Sequence, residues 1–186
     1  PLWSRGLGDV YKRQGESGDE RMLQRLADGG AAVTLATAGT QGELGTASWQ
    51  VLWPQRGSEV FPPGNDQSVV LEVEGGGVPR ALFLGDLSAE AQRMLVRTAH
   101  LRGSYAVVKV AHHGSADQDF ALYQDLRPVD ALFSAGIDND YGHPRAESLA
   151  SLEAAGARVL RTDQEGRLLV GLDGDELQLW TERQPP

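Results

Sequence analysis

The sequence predicts one layered α/β domain, on three observations. Short apolar runs of strand length alternate with helical patterns along the chain. Gly, Pro and polar clusters separate them, with no internal repeat and no evident linker. The chain has 186 residues, 40% of them hydrophobic, enough for one core.

The first element is a helix over residues 20–27, where Met22, Leu23 and Leu26 fall at helical spacing and Gly29-Gly30 stop it. Short β-like runs follow at 32–35 and 47–53, the second ending at Pro54. Residues 54–67, rich in Pro, Gly and polar side chains, read as a loop. The runs 68–73 and 81–84 flank Gly75-Gly76-Gly77 and predict a hairpin. Residues 88–98 open on a Ser cap with Glu90 in the first turn, the signature of a helix start. A strand at 105–111, a helix at 119–126, a strand at 129–133 and a helix at 147–155 closed by Gly156 come next. Strands at 158–160, 168–172 and 177–180 complete the series.

Composition removes several classes of function. No apolar run approaches the roughly 18 to 20 residues of a membrane helix, and no basic start leads into an apolar stretch as in a secretory signal. The absence of cysteine excludes disulfides and thiolate sites, so any metal would be held by His, Asp or Glu. The formal net charge is −9, and Lys12 and Lys109 are the only lysines. Such a chain carries no standing electrostatic footprint for nucleic acid.

The segment Asp9-Val10-Tyr11-Lys12-Arg13-Gln14 matches the in-frame translation of a transposon-type sequencing-library adapter. Residues 1–14 are therefore expected to be non-native, leaving 15–186 as the C-terminal part of a domain whose gene continues upstream. Without residues 1–14 the remainder is more acidic still, since Arg5, Lys12, Arg13 and Asp9 leave together.

Candidate chemistry sits where three apolar strands end. Ala81-Leu82-Phe83-Leu84 runs into Gly85-Asp86, and the 105–111 strand into His112-His113-Gly114-Ser115. Asp130-Ala131-Leu132-Phe133 runs into Ser134-Ala135-Gly136, and a short loop then delivers Tyr141-Gly142-His143-Pro144. Strand ends are where ligands collect in layered α/β folds. Taken singly, each signal has a plain structural explanation. Gly-Asp is a common turn, and Pro restricts the residue before it. Adjacent histidines on a strand point to opposite faces, so only one of His112 and His113 is expected to face a site. His100 reads as surface, and Lys109 as a solvated or supporting residue. The ordered Asp, His-His, His series is the stronger signal, because imidazoles and a carboxylate together hold one or two divalent ions that activate water. A Ser115 nucleophile is the rival chemistry, but no Gly-x-Ser-x-Gly elbow surrounds it.

Five segments, in order, carry a family resemblance over residues 65–166. They are Asn65-Asp66-Gln67-Ser68; Leu84-Gly85-Asp86; Lys109-Val110-Ala111-His112-His113-Gly114-Ser115; Ser134-Ala135-Gly136 with Asn139-Asp140-Tyr141-Gly142-His143-Pro144; and Arg161-Thr162-Asp163 with Gly166. Together they resemble the metallo-β-lactamase-fold domain of the ComEC family of competence (DNA internalisation) proteins. The resemblance implies part of an αββα sandwich lacking its N-terminal strands, with Asp86, His112, His113 and His143 as metal ligands and Asp86 and His143 as catalytic residues. It implies one or two divalent ions, zinc or manganese, and DNA as partner, with other competence proteins beside it. It further implies a parent protein in the cell membrane, joined through a channel region absent here, with this domain extracytoplasmic and cleaving phosphodiester bonds of the non-transported DNA strand. Two family segments, Asp-Val-Gly-Gln-Gly-Asp and His-x-Asp-x-Asp-His, do not occur here, and no histidine precedes His100. Truncation at the adapter junction is the expected cause, and the fragment is expected to be inactive alone. Two rival readings stand beside this one: a stand-alone hydrolase of a small ester or phosphodiester with the same fold, and a non-catalytic module.

Overall fold

The computed structural model describes residues 19–101 and 103–184. The expectation that residues 1–14 are adapter translation lies outside the described residues. The elements in chain order are α1 (Asp19–Asp28), β1 (Gln41–Leu44), β2 (Ala47–Trp53), β3 (Val70–Gly75), β4 (Val78–Phe83), α2 (Ala89–Thr98), β5 (Val107–Lys109), α3 (Phe120–Leu126), β6 (Asp130–Phe133), α4 (Ala146–Ala154), β7 (Arg158–Arg161), α5 (Thr162–Glu165), β8 (Leu168–Asp173) and β9 (Glu176–Thr181). Strands β1 to β7 form one mixed sheet in sequence order, and β8–β9 form a separate hairpin. The α/β class expected from the alternation is the class observed.

The first four strands pair antiparallel and the last four parallel. The change occurs where turns and the 54–69 loop give way to helical crossovers, as parallel pairing requires. The predicted hairpin forms across Gly75-Gly76-Gly77, all three at positive φ. Helix α2 begins as its sequence implies: the Ser88 hydroxyl accepts the Ala91 N–H, and Glu90 lies in the first turn.

One face of the sheet carries the core. Val70, Leu82, Val108 and Ala131 pack with Leu87, Leu95, Leu122, Tyr123 and Leu152, contributed by α2, α3, α4 and their flanks. On the opposite face the register sets Leu71, Val73, Phe83 and Leu132 in neighbouring rows, all half-buried. Hairpin β8–β9 meets the sheet through the Leu172 N–H, which donates to the Gly77 carbonyl at 3.2 Å.

Three expectations are corrected. Residues 32–35 form no strand, and Val33 and Leu35 are exposed. Residues 41–44 do form one, because Leu44 and Ala47 close a tight turn and pair Gln41–Leu44 back onto β2. The strand expected over 105–111 is only Val107–Lys109. Among the described residues, no helix is long and apolar enough to cross a membrane.

Candidate metal centre

Parallel register brings the candidate residues together. Phe83 pairs with Lys109 and Lys109 with Leu132, so β4, β5 and β6 end level. Whatever follows them gathers at one end of the sheet. After β4 the chain turns at Gly85, whose φ is +57 and whose Cα faces Ser68; a Cβ there would lie 2.5 Å from the Ser68 Cβ. The Gly85 carbonyl accepts the His112 N–H at 3.0 Å, tying the Asp86 turn to the histidine pair. The Asn65-Asp66-Gln67-Ser68 segment serves this turn as well. The Asp66 carboxylate accepts the Ser88 N–H at 2.9 Å, and the Asp66 carbonyl accepts the Trp53 indole N–H at 2.7 Å.

The histidine pair departs from expectation. His112 and His113 do not alternate along a strand. They sit in a tight turn, Ala111–Gly114, with φ of 45° and 55°, both left-handed. Two successive left-handed residues curl the chain, so neither ring is carried to the far face. His113 Nε2 lies 3.6 Å from the Asp86 Oδ1. The His112 ring lies 5.7 Å from that of His143 and 6.4 Å from that of His113, centroid to centroid. All four candidates, Asp86, His112, His113 and His143, therefore form one cluster; His100 is exposed elsewhere.

Buried polar groups hold that turn from beneath. Gln118 donates to the Ala111 carbonyl at 2.9 Å and accepts the Tyr123 hydroxyl at 2.6 Å, while Gln92 donates to Gln118 at 3.1 Å. The Ser115 carbonyl accepts the buried Ser148 hydroxyl at 2.6 Å. Ser115 is thus an element of the loop's support, and its hydroxyl faces Gln118 at 3.4 Å, with no histidine bonded to it. The arrangement does not supply the base that a serine nucleophile needs.

His143 is delivered by a loop that Asn139 closes. The Asn139 amide donates to the His143 carbonyl at 2.9 Å, and its oxygen accepts the His143 N–H at 3.0 Å. Tyr141 stacks on the His143 ring with centroids 6.1 Å apart. Burial, aided by His112, Arg145 and His113 and opposed by Asp86, holds the His143 imidazole below its ordinary pKa. The neutral ring that results is the ligand form. Lys109 is mostly buried beside the cluster, its Nζ 3.9 Å from the Asp86 Oδ1 and donating to the Gly85 carbonyl at 3.3 Å. Burial lowers its pKa, with Asp86 opposing. It is a supporting residue, not a solvated one.

The donor set fits a divalent ion in kind, since carboxylate and imidazole are the oxygen and nitrogen ligands of zinc. His113 Nδ1 lies 2.6 Å from the Ser134 carbonyl, which only accepts, so Nδ1 bears a proton and Nε2 is the nitrogen that faces Asp86. In number the set is short. Among the described residues, no three His, Asp or Glu side chains are drawn tightly enough to hold one ion as they stand. A hollow of about 700 Å³ lies by Val96, His100 and Leu126, away from the cluster. The cluster is preferred as the site because its groups converge with defined partners.

The chain is similar to ComE operon protein 3 of Bacillus subtilis (strain 168). The two are 33% identical over 155 residues, 82% of this chain and 19% of that protein. It is also similar to competence protein ComA of Neisseria gonorrhoeae, 33% identical over 109 residues, covering 58% of this chain and 16% of that one. No protein-family profile matches. The chain thus spans less than a fifth of the length of these curated relatives. Its homologues are the ComEC protein and ComA, in keeping with the motif resemblance.

Several residues at the centre were not legible as such in the sequence. Asn139, Ser134 and Thr162 lie inside the matching segments, but only their contacts give them roles. Lys109 carried one usable signal: a lone lysine on an apolar strand one turn before a histidine pair.

Proposed function

We propose that the chain is the C-terminal part of a metal-dependent hydrolase domain in a ComEC-type DNA-uptake protein. In this reading the domain cleaves phosphodiester bonds of the DNA strand that is not transported. The observation that carries the proposal is the convergence of Asp86, His112, His113 and His143 at the level ends of three parallel strands. In this reading Asp86, 3.6 Å from the His113 Nε2, would bridge, His112 and His113 would ligate, and His143 would ligate or meet the scissile phosphate. A bound zinc or manganese supplies Lewis acidity and water activation. The chain's own groups orient that chemistry: Asn139 fixes the His143 backbone, and Ser134 fixes the His113 ring.

The metallo-β-lactamase-like αββα sandwich belongs to the same proposal. The half-buried apolar side chains Leu71, Val73, Phe83 and Leu132, on the same face as Lys109, support it, because a second sheet from a preceding segment would cover that face. That segment would also supply the remaining ligands. The parent would be a cell-membrane protein with this domain extracytoplasmic and DNA and other competence proteins as partners. The net charge of −9 favours one alternative, a stand-alone hydrolase of a small ester or phosphodiester of the same fold.

The test uses the longer protein that contains this chain. Metal-dependent cleavage of DNA, lost in Asp86→Ala and in His143→Ala and retained in His100→Ala, is the expected result. Full cleavage by the His143→Ala protein would refute the assigned role. Cleavage of small phosphodiesters with no cleavage of DNA would select the alternative.

A further inference from the structure

The geometry points to Thr162 as a positioning residue that sets the tautomer of His113 through the Ser134–Ala135 backbone. Strands β6 and β7 pair Phe133 with Arg161, so Thr162 emerges directly beside Ser134 and Ala135. Its hydroxyl accepts the Ala135 N–H at 2.9 Å and donates to the Ala135 carbonyl at 2.8 Å; the Phe133 carbonyl is a longer contact at 3.4 Å. One side chain thus grips both polar groups of the residue that follows Ser134. That grip fixes the Ser134–Ala135 peptide, and with it the direction of the Ser134 carbonyl, which receives His113 Nδ1 at 2.6 Å. The Ser134 hydroxyl, 3.1 Å from the same nitrogen, is a second partner.

Thr162 is itself held. The Glu165 carboxylate, nearly buried, accepts the Arg161 N–H at 2.6 Å, and the Arg161 guanidinium grips Asp163 through two bonds, at 3.1 and 2.5 Å. The Gly166 N–H returns to the Thr162 carbonyl at 3.0 Å. The Arg161-Thr162-Asp163…Gly166 segment is a turn tied by its own bonds, and it presents the Thr162 hydroxyl to Ala135. A partner that fixes a ligating imidazole's other nitrogen selects its tautomer and orientation.

The inference rests on the proposed metal role of His113 only for its consequence; the tautomer is a property of the chain itself. The test reads imidazole ¹⁵N resonances of the 186-residue chain under conditions where the rings are neutral, beside calorimetric zinc titration of the longer protein that contains this chain. Expected in the wild type is a His113 ring protonated at Nδ1 and bare at Nε2. Thr162→Val, near in shape but without the hydroxyl, should bring in the Nε2–H form. Thr162→Ser should restore the wild-type pattern, and Ser134→Ala should keep it, because the carbonyl remains. Zinc affinity should fall about 10- to 100-fold in Thr162→Val and recover in Thr162→Ser. A wild-type ring protonated at Nε2 overturns the inference without any variant. So does an unchanged His113 pattern in Thr162→Val, or in Thr162→Ala should the Val form not fold. If the tautomer follows Thr162 while zinc affinity is indifferent to Asp86→Ala and to Thr162→Val alike, the positioning role stands and the metal reading fails.

Discussion

Gly114→Ala should be the most damaging single-carbon change near the cluster. Gly114 has φ of +81 and is buried between Phe133 and Pro144. A Cβ there would lie 2.5 and 2.7 Å from two ring carbons of Phe133 and 2.9 Å from the Pro144 Cβ. Phe133 is fully buried in the core and Pro144 is a rigid ring, so neither can yield as the tip of a flexible chain could. The left-handed backbone costs an L-residue about 1 to 2 kcal/mol. Overpacking against buried neighbours adds about 1 to 3 kcal/mol. The sum, roughly 2 to 5 kcal/mol, corresponds in a chain of this length to a Tm lower by about 4 to 20 °C. Urea unfolding followed by circular dichroism measures it, with Gly136→Ala as control. Gly136 is not at a left-handed φ and has nothing within 4 Å of its would-be Cβ, so that change should stay within about 0.5 kcal/mol. A Gly114→Ala chain as stable as the control would refute the close packing between the His112-His113 turn and the His143 loop.

Three further outcomes are expected. Burial pushes the Glu72 carboxyl up, but hydrogen bonds from Tyr105, Gln50 and Arg80 outweigh it and hold the pKa below its ordinary value. The stability Glu72 contributes is therefore present above the unfolded carboxylate range and lost as pH falls through the lower folded value, so Glu72→Gln should flatten the acid limb of a stability–pH curve. Ser88→Ala should destabilise α2 by about 1 kcal/mol through loss of the cap to Ala91, read as a lower urea midpoint at unchanged slope. In the longer protein that contains this chain, Asp86→Ala should weaken zinc binding in calorimetry, while His100→Ala should leave the isotherm unchanged.

Legibility in the sequence followed the range of the interactions involved. Helix α2 was readable because its signals, Ser88, Glu90 and the apolar spacing, act within one turn. The β3–β4 hairpin was readable because three glycines leave few other conformations for the connection. Residues 32–35 misled because apolar, β-branched composition makes a strand only where its side chains also find packing, and Val33 and Leu35 stay exposed. The opposite holds for β1: Gly42 and Glu43 have little strand preference, but the tight turn pairs them with β2, and the Trp49 ring lies over Gly42. At the centre, the identities of Asp86, His112, His113 and His143 were visible because strands β4, β5 and β6 end beside them. The direction of the two adjacent rings was not, since it follows from backbone angles that histidine seldom adopts and that surrounding bonds impose. Lys109 and Thr162 were hidden for a related reason: their main partners are carbonyl oxygens, which every residue carries and no sequence marks.

The left-handed pair at His112 and His113 has an implication for how such a chain can change over time. Each non-glycine residue held there costs on the order of 1 kcal/mol or more, which glycine would largely avoid. His112→Gly should therefore unfold at higher temperature while losing a ring from the cluster. Drift unconstrained by chemistry would be expected to erode this pair early, toward glycine or asparagine, because relaxation of the backbone and loss of the imidazole arrive in the same step. A lineage in which both histidines persist is one in which some demand on the rings opposes the gain in stability at every generation.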